Sequence, residues 1–322
     1  MKKILANDGI DRIGKEMLEK AGFEVDAHKV PQDKLIEIIN EREYSVLIVR
    51  SATQVRKDLI DACPNLKIIA RGGVGLDNID VEYAKQKGIH VINTPAASSR
   101  SVAELVLAHL LSLSRYLHLS NREMSIIGNR EFNALKKKYS EGTELKNKTI
   151  GIIGFGRIGQ EVAKIAIGLQ MNILAYDPYV VSAEIELELP YLKKKLDMSI
   201  RTVKLEEVLK NSDFITLHVP GGRIISQKEF DQMKDGVILI NASRGGVINE
   251  NDLLEALNKG KVRAAGLDVF ENEPTLKPEL LNHPKISITP HIGASTKEAQ
   301  ERIAIELAEK IIQTFEKIQI HS

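Results

Sequence analysis

The stretch Thr149-Ile150-Gly151-Ile152-Ile153-Gly154-Phe155-Gly156-Arg157-Ile158-Gly159 joins an apolar strand to the start of a helix through glycines spaced G-x-G-x-x-G. The spacing has a physical reading. Gly154 allows a tight turn, Gly156 lets backbone approach a pyrophosphate, and Gly159 lets the helix pack close to the strand. The free N–H groups opening such a helix favour a bound phosphate. The next apolar run, residues 172–176, ends on Asp177, 18 residues past Gly159. A carboxylate there suits the paired hydroxyls of an adenosine ribose and repels a 2′-phosphate, so the expected cofactor is NAD rather than NADP.

Outward from this point, short β-branched runs alternate with amphipathic helical stretches in both directions. On the N-terminal side the strands are expected at 3–7, 45–50 and 67–71, with helices at 10–20, 57–62 and 81–87. On the C-terminal side strands are expected at 213–219, 236–241, 263–269 and 286–289, followed by a helix from about 296 to 316. Such alternation produces parallel strands with crossover helices, so the fold class is α/β with two doubly wound, Rossmann-like units. The most apolar stretch, 102–119, carries Glu104, His109, Arg115 and His118, charges costly in a bilayer, and reads as a helix buried in protein. The polar, less regular segments 120–144 and 180–200 read as surface excursions.

Composition bounds the function. The chain has 322 residues, long enough for two cores. Its 45 Lys+Arg against 44 Asp+Glu give a net charge of +1, which excludes a dominant polyanion-binding role and makes nucleic acid an unexpected partner. A single Cys63 and no Cys/His cluster of zinc spacing predict neither a disulfide framework nor a metal, and favour the cytosol. The N-terminus meets Asn7-Asp8 before an apolar core of a signal peptide develops, so no secretory signal and no membrane association are expected.

Moving a hydride to or from carbon requires a proton moved on the attached oxygen, work suited to a histidine held by a carboxylate. His291, in Thr289-Pro290-His291-Ile292-Gly293, stands directly after an expected strand, at the end where doubly wound sheets place ligands. Two further loops follow strands on the same edge. Ala242-Ser243-Arg244-Gly245-Gly246 offers a guanidinium for a substrate carboxylate, and Asp268-Val269-Phe270-Glu271-Asn272-Glu273-Pro274 offers carboxylates to orient His291. Spacing leaves open whether Glu271 or Glu273 is the partner. Near the N-terminus, Arg71-Gly72-Gly73-Val74-Gly75 ends a strand with amides able to cradle an anion, and Arg50-Ser51 ends the strand before it.

Together these segments, with Val49-Arg50-Ser51-Ala52-Thr53, Gly73-Val74-Gly75-Leu76-Asp77-Asn78-Ile79-Asp80 and Asn93-Thr94-Pro95, resemble the D-isomer-specific 2-hydroxyacid dehydrogenases over nearly the whole chain. The resemblance implies that His291 is the acid/base, Glu273 its partner and Arg244 the residue that holds the substrate carboxylate. It places Val74, Gly154, Gly156, Arg157, Ile158, Gly159, Asp177, His218, Val219, Pro220, Ala242, Ser243, Arg244, Asp268, His291 and Gly293 against NAD. Arg50, Ser51, Gly73, Val74 and Lys136, the last within the basic run Lys136-Lys137-Lys138, fall at substrate positions.

The resemblance also implies a discontinuous first, flavodoxin-like substrate domain of residues 1–98 and 290–322 around an NAD-binding domain of residues 99–289, and a homodimer or homotetramer built on the helix near residues 102–119. The expected reaction is oxidation of 3-phosphoglycerate to 3-phosphohydroxypyruvate by NAD, the first step of serine synthesis. A hydroxypyruvate or glyoxylate reductase is the enzymatic alternative, and an NAD-sensing protein akin to a corepressor is the non-enzymatic one. Two departures bear on this. The loop Gly221-Gly222-Arg223 after Pro220 is about four residues shorter than the family's pattern. With the sequence ending at Ser322, a C-terminal regulatory domain is not expected.

Overall fold

The computed structural model describes residues 2–320. Met1 and residues 321–322, at the ends of the expected first domain, lie outside the described residues. The chain divides into two compact units, Met1–Ser98 with Ala294–Ser322, and Ser99–Gly293. The second crossing thus falls four residues beyond the expected boundary at Thr289. The reason is local: Asp268 holds the amides of Ile292 and Gly293, and Ser101 holds the Gly293 carbonyl, so residues 290–293 belong with the larger unit.

The first unit is a five-stranded sheet of β1 (Lys2–Ala6), β2 (Phe23–Asp26), β3 (Val46–Val49), β4 (Ile68–Arg71) and β5 (His90–Asn93), in the order β2-β1-β3-β4-β5 with every pair parallel. Alternate residues serve opposite faces. Ile4 and Ala6 meet Leu18, Ile303, Leu307 and Ile311 on one side, while Leu5, Leu47 and Val49 meet Leu35, Ile39 and Leu59 on the other. The terminal helix Lys297–Ile320 therefore closes this unit. The helix Arg12–Lys20 crosses it so closely that a Cβ on Gly14 would lie 2.7 Å from the Ala304 carbonyl oxygen.

The second unit is a six-stranded parallel sheet of β6 (Thr149–Ile153), β7 (Asn172–Tyr176), β10 (Phe214–Leu217), β11 (Val237–Asn241), β12 (Val262–Leu267) and β13 (Ile286–Ile288), ordered β13-β12-β11-β10-β6-β7. Between β7 and β10 lies an antiparallel hairpin, β8 (Ser182–Leu189) and β9 (Lys194–Arg201). One face of the main sheet buries Ile150, Ile152, Ile238 and Ile240 under Val106, Leu110 and Val162; the other buries Ile153, Ile215 and Leu239 under Val208 and Leu253. In both sheets the order reverses beside the first strand of the unit, β1 or β6, and the loops leaving the C-terminal strand ends there are where ligands are expected.

Three stretches differ from expectation. Residues 180–200 contain the hairpin, whose apolar positions Ala183, Ile185 and Leu187 alternate with Glu184, Glu186 and Glu188, a period of two that seats Ile185 in the core. Residues 120–144 are mostly helix, Leu117–Lys138, with only Gly128 and Leu135 buried, so no apolar stripe announces it. The apolar helix expected over 102–119 runs instead from Ser99 to Ser114 and stops before Tyr116, which adopts a left-handed conformation (φ 56°).

Candidate active site

β13 delivers the chain to His291 through a pinned loop. The Asp268 carboxylate, at the C-terminal end of β12 and 1% exposed, accepts from the Thr289 hydroxyl (2.6 Å), the Ile292 amide (2.9 Å) and the Gly293 amide (2.9 Å). These bonds bracket His291, whose φ of 54° is one that side chains rarely adopt and that needs such support. The His291 imidazole is half exposed and presents Nδ1 to Glu273 Oε2 at 2.8 Å. The other oxygen, Oε1, accepts from the Phe270 amide at 2.9 Å, so the carboxylate is fixed at both ends. Between the two glutamates left open by spacing, the structure pairs Glu273 with His291. Glu271 instead meets Arg223 (3.2 Å) and Lys277 (3.3 Å) and ties its loop to the shortened loop after Pro220.

With Nδ1–H donating to Glu273, Nε2 is the ring nitrogen left to exchange a proton, and the carboxylate stabilises the imidazolium when both nitrogens are protonated. The ring is thus half exposed and oriented by a carboxylate, unlike a histidine enclosed in a core.

Arg244 follows β11 on a loop built by Asn241. The buried Asn241 side chain accepts from the Ser243 amide (3.0 Å) and hydroxyl (2.8 Å) and donates to the Arg244 carbonyl (2.9 Å), a local turn that Asn side chains favour. Gly245 then lies against the peptide of Phe270, where a Cβ would come within 1.8 Å of the carbonyl oxygen. The loop of Arg244 and the loop of Glu273 are therefore packed backbone to backbone. Asn241 opens one of the segments that carry the family resemblance, and its part in shaping the Arg244 loop shows in the fold.

The glycine turn after β6 fits a dinucleotide by observation. Gly154 has φ 93° and sits where a Cβ would meet the His218 carbonyl oxygen at 2.4 Å; at Gly159 it would meet the Gly154 carbonyl oxygen at 2.2 Å. At Gly156, by contrast, a Cβ would meet nothing within 4 Å, so the space over the start of the helix Arg157–Gly168 is open. Asp177 braces the same turn: Oδ2 accepts from the Phe155 amide (2.8 Å), and Oδ1 from the amides of Tyr179 (2.8 Å) and Val180 (3.1 Å). His218, after β10, bonds Thr216 Oγ1 through Nε2 (3.0 Å) while its buried Nδ1 has no partner among the described residues. Burial pushes its pKa down to about 3, so it is a neutral ring at physiological pH.

In the first unit, Arg50 and Ser51 leave β3 on a loop held by Asp8, which accepts from the amides of Arg50 (2.7 Å) and Thr53 (3.0 Å) and from Lys29. Burial alone would raise the Asp8 pKa, but Lys29 and these donors hold it below the usual carboxylate range. Asn78 closes the loop from the other side by donating to the carbonyls of Arg50 (2.8 Å) and Thr53 (2.6 Å). The anion cradle at residues 72–75 is narrower than four amides, because Gly72 N–H donates to Val49 O (2.8 Å) and Gly73 N–H to Arg71 O (3.0 Å). The amides of Val74 and Gly75 have no such partner among the described residues. Lys136 is exposed on the helix Leu117–Lys138. No group of three or more His, Cys, Asp or Glu is placed to hold a metal among the described residues, and no described helix is long and apolar enough to cross a membrane.

The family model described as D-isomer specific 2-hydroxyacid dehydrogenase, NAD binding domain, matches residues 107–293. A hydroxypyruvate reductase of Thermotoga maritima is 46% identical over 317 residues, which cover 96% of this chain and 97% of that protein. A D-3-phosphoglycerate dehydrogenase of Methanocaldococcus jannaschii is 42% identical over 97% of this chain, which spans 57% of that protein's length. Among solved structures, a glyoxylate reductase from Paecilomyes thermophila superposes with TM-score 0.82 at 29% identity, covering 98% of this chain and 96% of that one. An NAD+-bound 3-phosphoglycerate dehydrogenase of Entamoeba histolytica superposes with TM-score 0.77 at 27% identity, covering 98% and 95%.

Proposed function

The chain belongs to the D-isomer specific 2-hydroxyacid dehydrogenase family, and from that premise we propose that it oxidises 3-phosphoglycerate to 3-phosphohydroxypyruvate with NAD, the entry reaction of serine synthesis in the cytoplasm. The observation that carries the chemistry is the His291–Glu273 pair at 2.8 Å at the end of β13. The glycine turn at 154–159 and Asp177 would hold NAD, which when bound would supply the hydride acceptor.

The protein's own residues do the rest. In the oxidative direction, neutral His291 takes the hydroxyl proton on Nε2 as the C–H bond gives up its hydride, and Glu273 stabilises the resulting imidazolium. In reduction the same nitrogen returns the proton to the carbonyl oxygen. Arg244 binds the carboxylate and polarises the carbonyl, a task suited to its planar fork of donors. Arg50 and Ser51 would meet the phosphate of the substrate and the amide of Val74 its carboxylate, with Lys136 serving the neighbouring subunit's phosphate site; Gly73 shapes that loop rather than donating from it. Assembly as a homodimer or homotetramer through the stretch 102–119 belongs to the same proposal, and Leu111 and Leu117 within it are exposed.

A second reading, a hydroxypyruvate or glyoxylate reductase, is favoured by one observation: the chain matches the Thermotoga reductase along 97% of its length, but the Methanocaldococcus dehydrogenase along 57%. The deciding experiment follows NADH at 340 nm, formed from 3-phosphoglycerate and NAD at alkaline pH with a ketone trap, and consumed with hydroxypyruvate or glyoxylate. Saturable activity on 3-phosphoglycerate, with a KM raised at least tenfold by Arg50→Gln, supports the first reading. Activity confined to the unphosphorylated oxoacids and indifferent to Arg50→Gln establishes the second.

A further inference from the structure

The helix Ser99–Ser114 carries two polar side chains, eight residues apart, that reach the loop of His291. Ser101 Oγ donates to the Gly293 carbonyl at 2.6 Å. His109, 3% exposed, places Nδ1 3.0 Å from Ser287 Oγ and Nε2 3.0 Å from Thr289 Oγ1. The sheet makes room for this ring: a Cβ on Gly266 would lie 2.9 Å from His109 Cβ and 3.0 Å from its Cγ, so the imidazole rests on bare β12 backbone.

The hydrogen-bond inventory fixes the tautomer. Thr289 has one hydroxyl proton, and at 2.6 Å it goes to Asp268 Oδ1, so Thr289 Oγ1 can only accept from His109. Nε2 therefore carries the hydrogen and Nδ1 accepts from the Ser287 hydroxyl. Burial lowers the His109 pKa, against the opposing pull of Asp268, which agrees with a neutral ring. The chain of donors then runs in one direction, from Ser287 to His109 to Thr289 to Asp268, and ends on the carboxylate that holds the Ile292 and Gly293 amides.

We propose that His109 is a positioning residue for the reaction: by donating Nε2–H to Thr289 it orients the hydroxyl onto Asp268, and Asp268 then fixes the backbone that aims His291. Without that donor the Thr289 hydroxyl is free to rotate away and Asp268 loses one of its three donors, so residues 290–293 loosen around a histidine already in a rarely populated conformation. The inference rests on the dehydrogenase reading for its kinetic consequence but not for its effect on the loop.

The test uses the full chain with His109→Leu, which removes both nitrogens at similar volume, His109→Gln, which retains a donor and an acceptor, and Thr289→Val, which removes only the relay hydroxyl. Two readouts are taken: kcat and KM for oxoacid reduction by NADH, and amide hydrogen exchange at Ile292 and Gly293, which needs no substrate. The expected result is a kcat lowered about tenfold or more in His109→Leu with both KM values within about twofold, and exchange at the two amides accelerated about tenfold or more. His109→Gln recovers both to within about threefold, and Thr289→Val reproduces the kcat loss without adding to it in the double variant.

A His109→Leu protein with a lowered melting temperature but kcat within twofold of the parent overturns the proposal, as does a Gln variant no better than Leu, or additive losses with Thr289→Val. Should His109→Leu not fold, Thr289→Val and His109→Gln decide alone: unchanged amide exchange in Thr289→Val overturns the proposal. A parent chain inactive on every oxoacid, whose His109→Leu variant still shows faster exchange at the two amides, refutes the dehydrogenase reading and leaves the His109 relay standing.

Discussion

Gly245→Ala is the substitution whose effect the geometry specifies most directly. The added Cβ would start 1.8 Å from the Phe270 carbonyl oxygen, 2.4 Å from its carbonyl carbon and 3.0 Å from the Glu271 nitrogen, all of them backbone atoms that cannot swing aside. Relief to an ordinary contact of about 3.4 Å requires the two loops to separate by roughly 1.6 Å, and overpacking of this kind costs about 1–3 kcal/mol. The separation falls between the loop of Arg244 and the loop that holds Glu273 through the Phe270 amide, so it displaces both groups that flank the chemistry. A misplacement of about 1 Å costs on the order of 100-fold in rate. The glycine turn at 154–159 and Asp177 are untouched, so NADH affinity should fall far less than kcat even though Ala242, Ser243 and Arg244 share the displaced loop. The assay is steady-state oxoacid reduction for kcat, NADH fluorescence titration for affinity, and thermal unfolding to confirm a folded protein. A folded Gly245→Ala protein with more than half the parent kcat would refute the claim that these two loops are positioned by their direct packing.

Two further outcomes follow from the site. If Asp177 accepts from the ribose hydroxyls of NAD as proposed, Asp177→Ser removes two charge-assisted hydrogen bonds of about 1.5 kcal/mol each, together with the brace on the Phe155 amide, and should raise the KM for NAD on the order of 100-fold while that for NADP falls; a parent enzyme that already prefers NADP would contradict the assignment. His218 titrates near 6.5 when unfolded and near 3 when folded, so the unfolded state binds the extra proton between those values; stability present above pH 6.5 is lost as pH falls toward about 3, by up to about 4 kcal/mol. Urea unfolding from pH 7 to 4 should show this slope in the parent and a shallower one in His218→Asn, and parallel slopes would remove His218 as its source.

Much of the architecture was legible because buried parallel strands are continuous apolar runs. β3, with Val46, Leu47, Ile48 and Val49 all buried, and β11, with five buried residues, are cases in point. The edge strands β2 and β5 escaped notice for the complementary reason: Phe23-Glu24-Val25-Asp26 and His90-Val91-Ile92-Asn93 are short and half solvated, and only pairing with β1 and β4 makes them strands. The alternation in β8 was readable but was masked by its many charges. In the site, the glycines and His291 stood out because each follows a strand with a residue type suited to the chemistry. Spacing alone could not choose between Glu271 and Glu273. The two lie two residues apart on one loop, and only the fold shows that one faces His291 while the other faces Arg223 and Lys277. The supporting bonds of Asp8, Asn78 and His109 join residues from 28 to 180 positions apart, and no local pattern announces such partners.

The most direct test of the central claim is His291→Asn. Asn preserves size and polarity near the ring but cannot exchange the proton, and a positioned general acid or base contributes typically 10²- to 10⁴-fold. Turnover is measured with saturating oxoacid and NADH, alongside NADH binding by fluorescence. A kcat lowered by at least about 100-fold with NADH affinity within about threefold is the expected result. A variant that turns over within tenfold of the parent would show that the proton moves by another route and that the His291–Glu273 pair is not the acid/base.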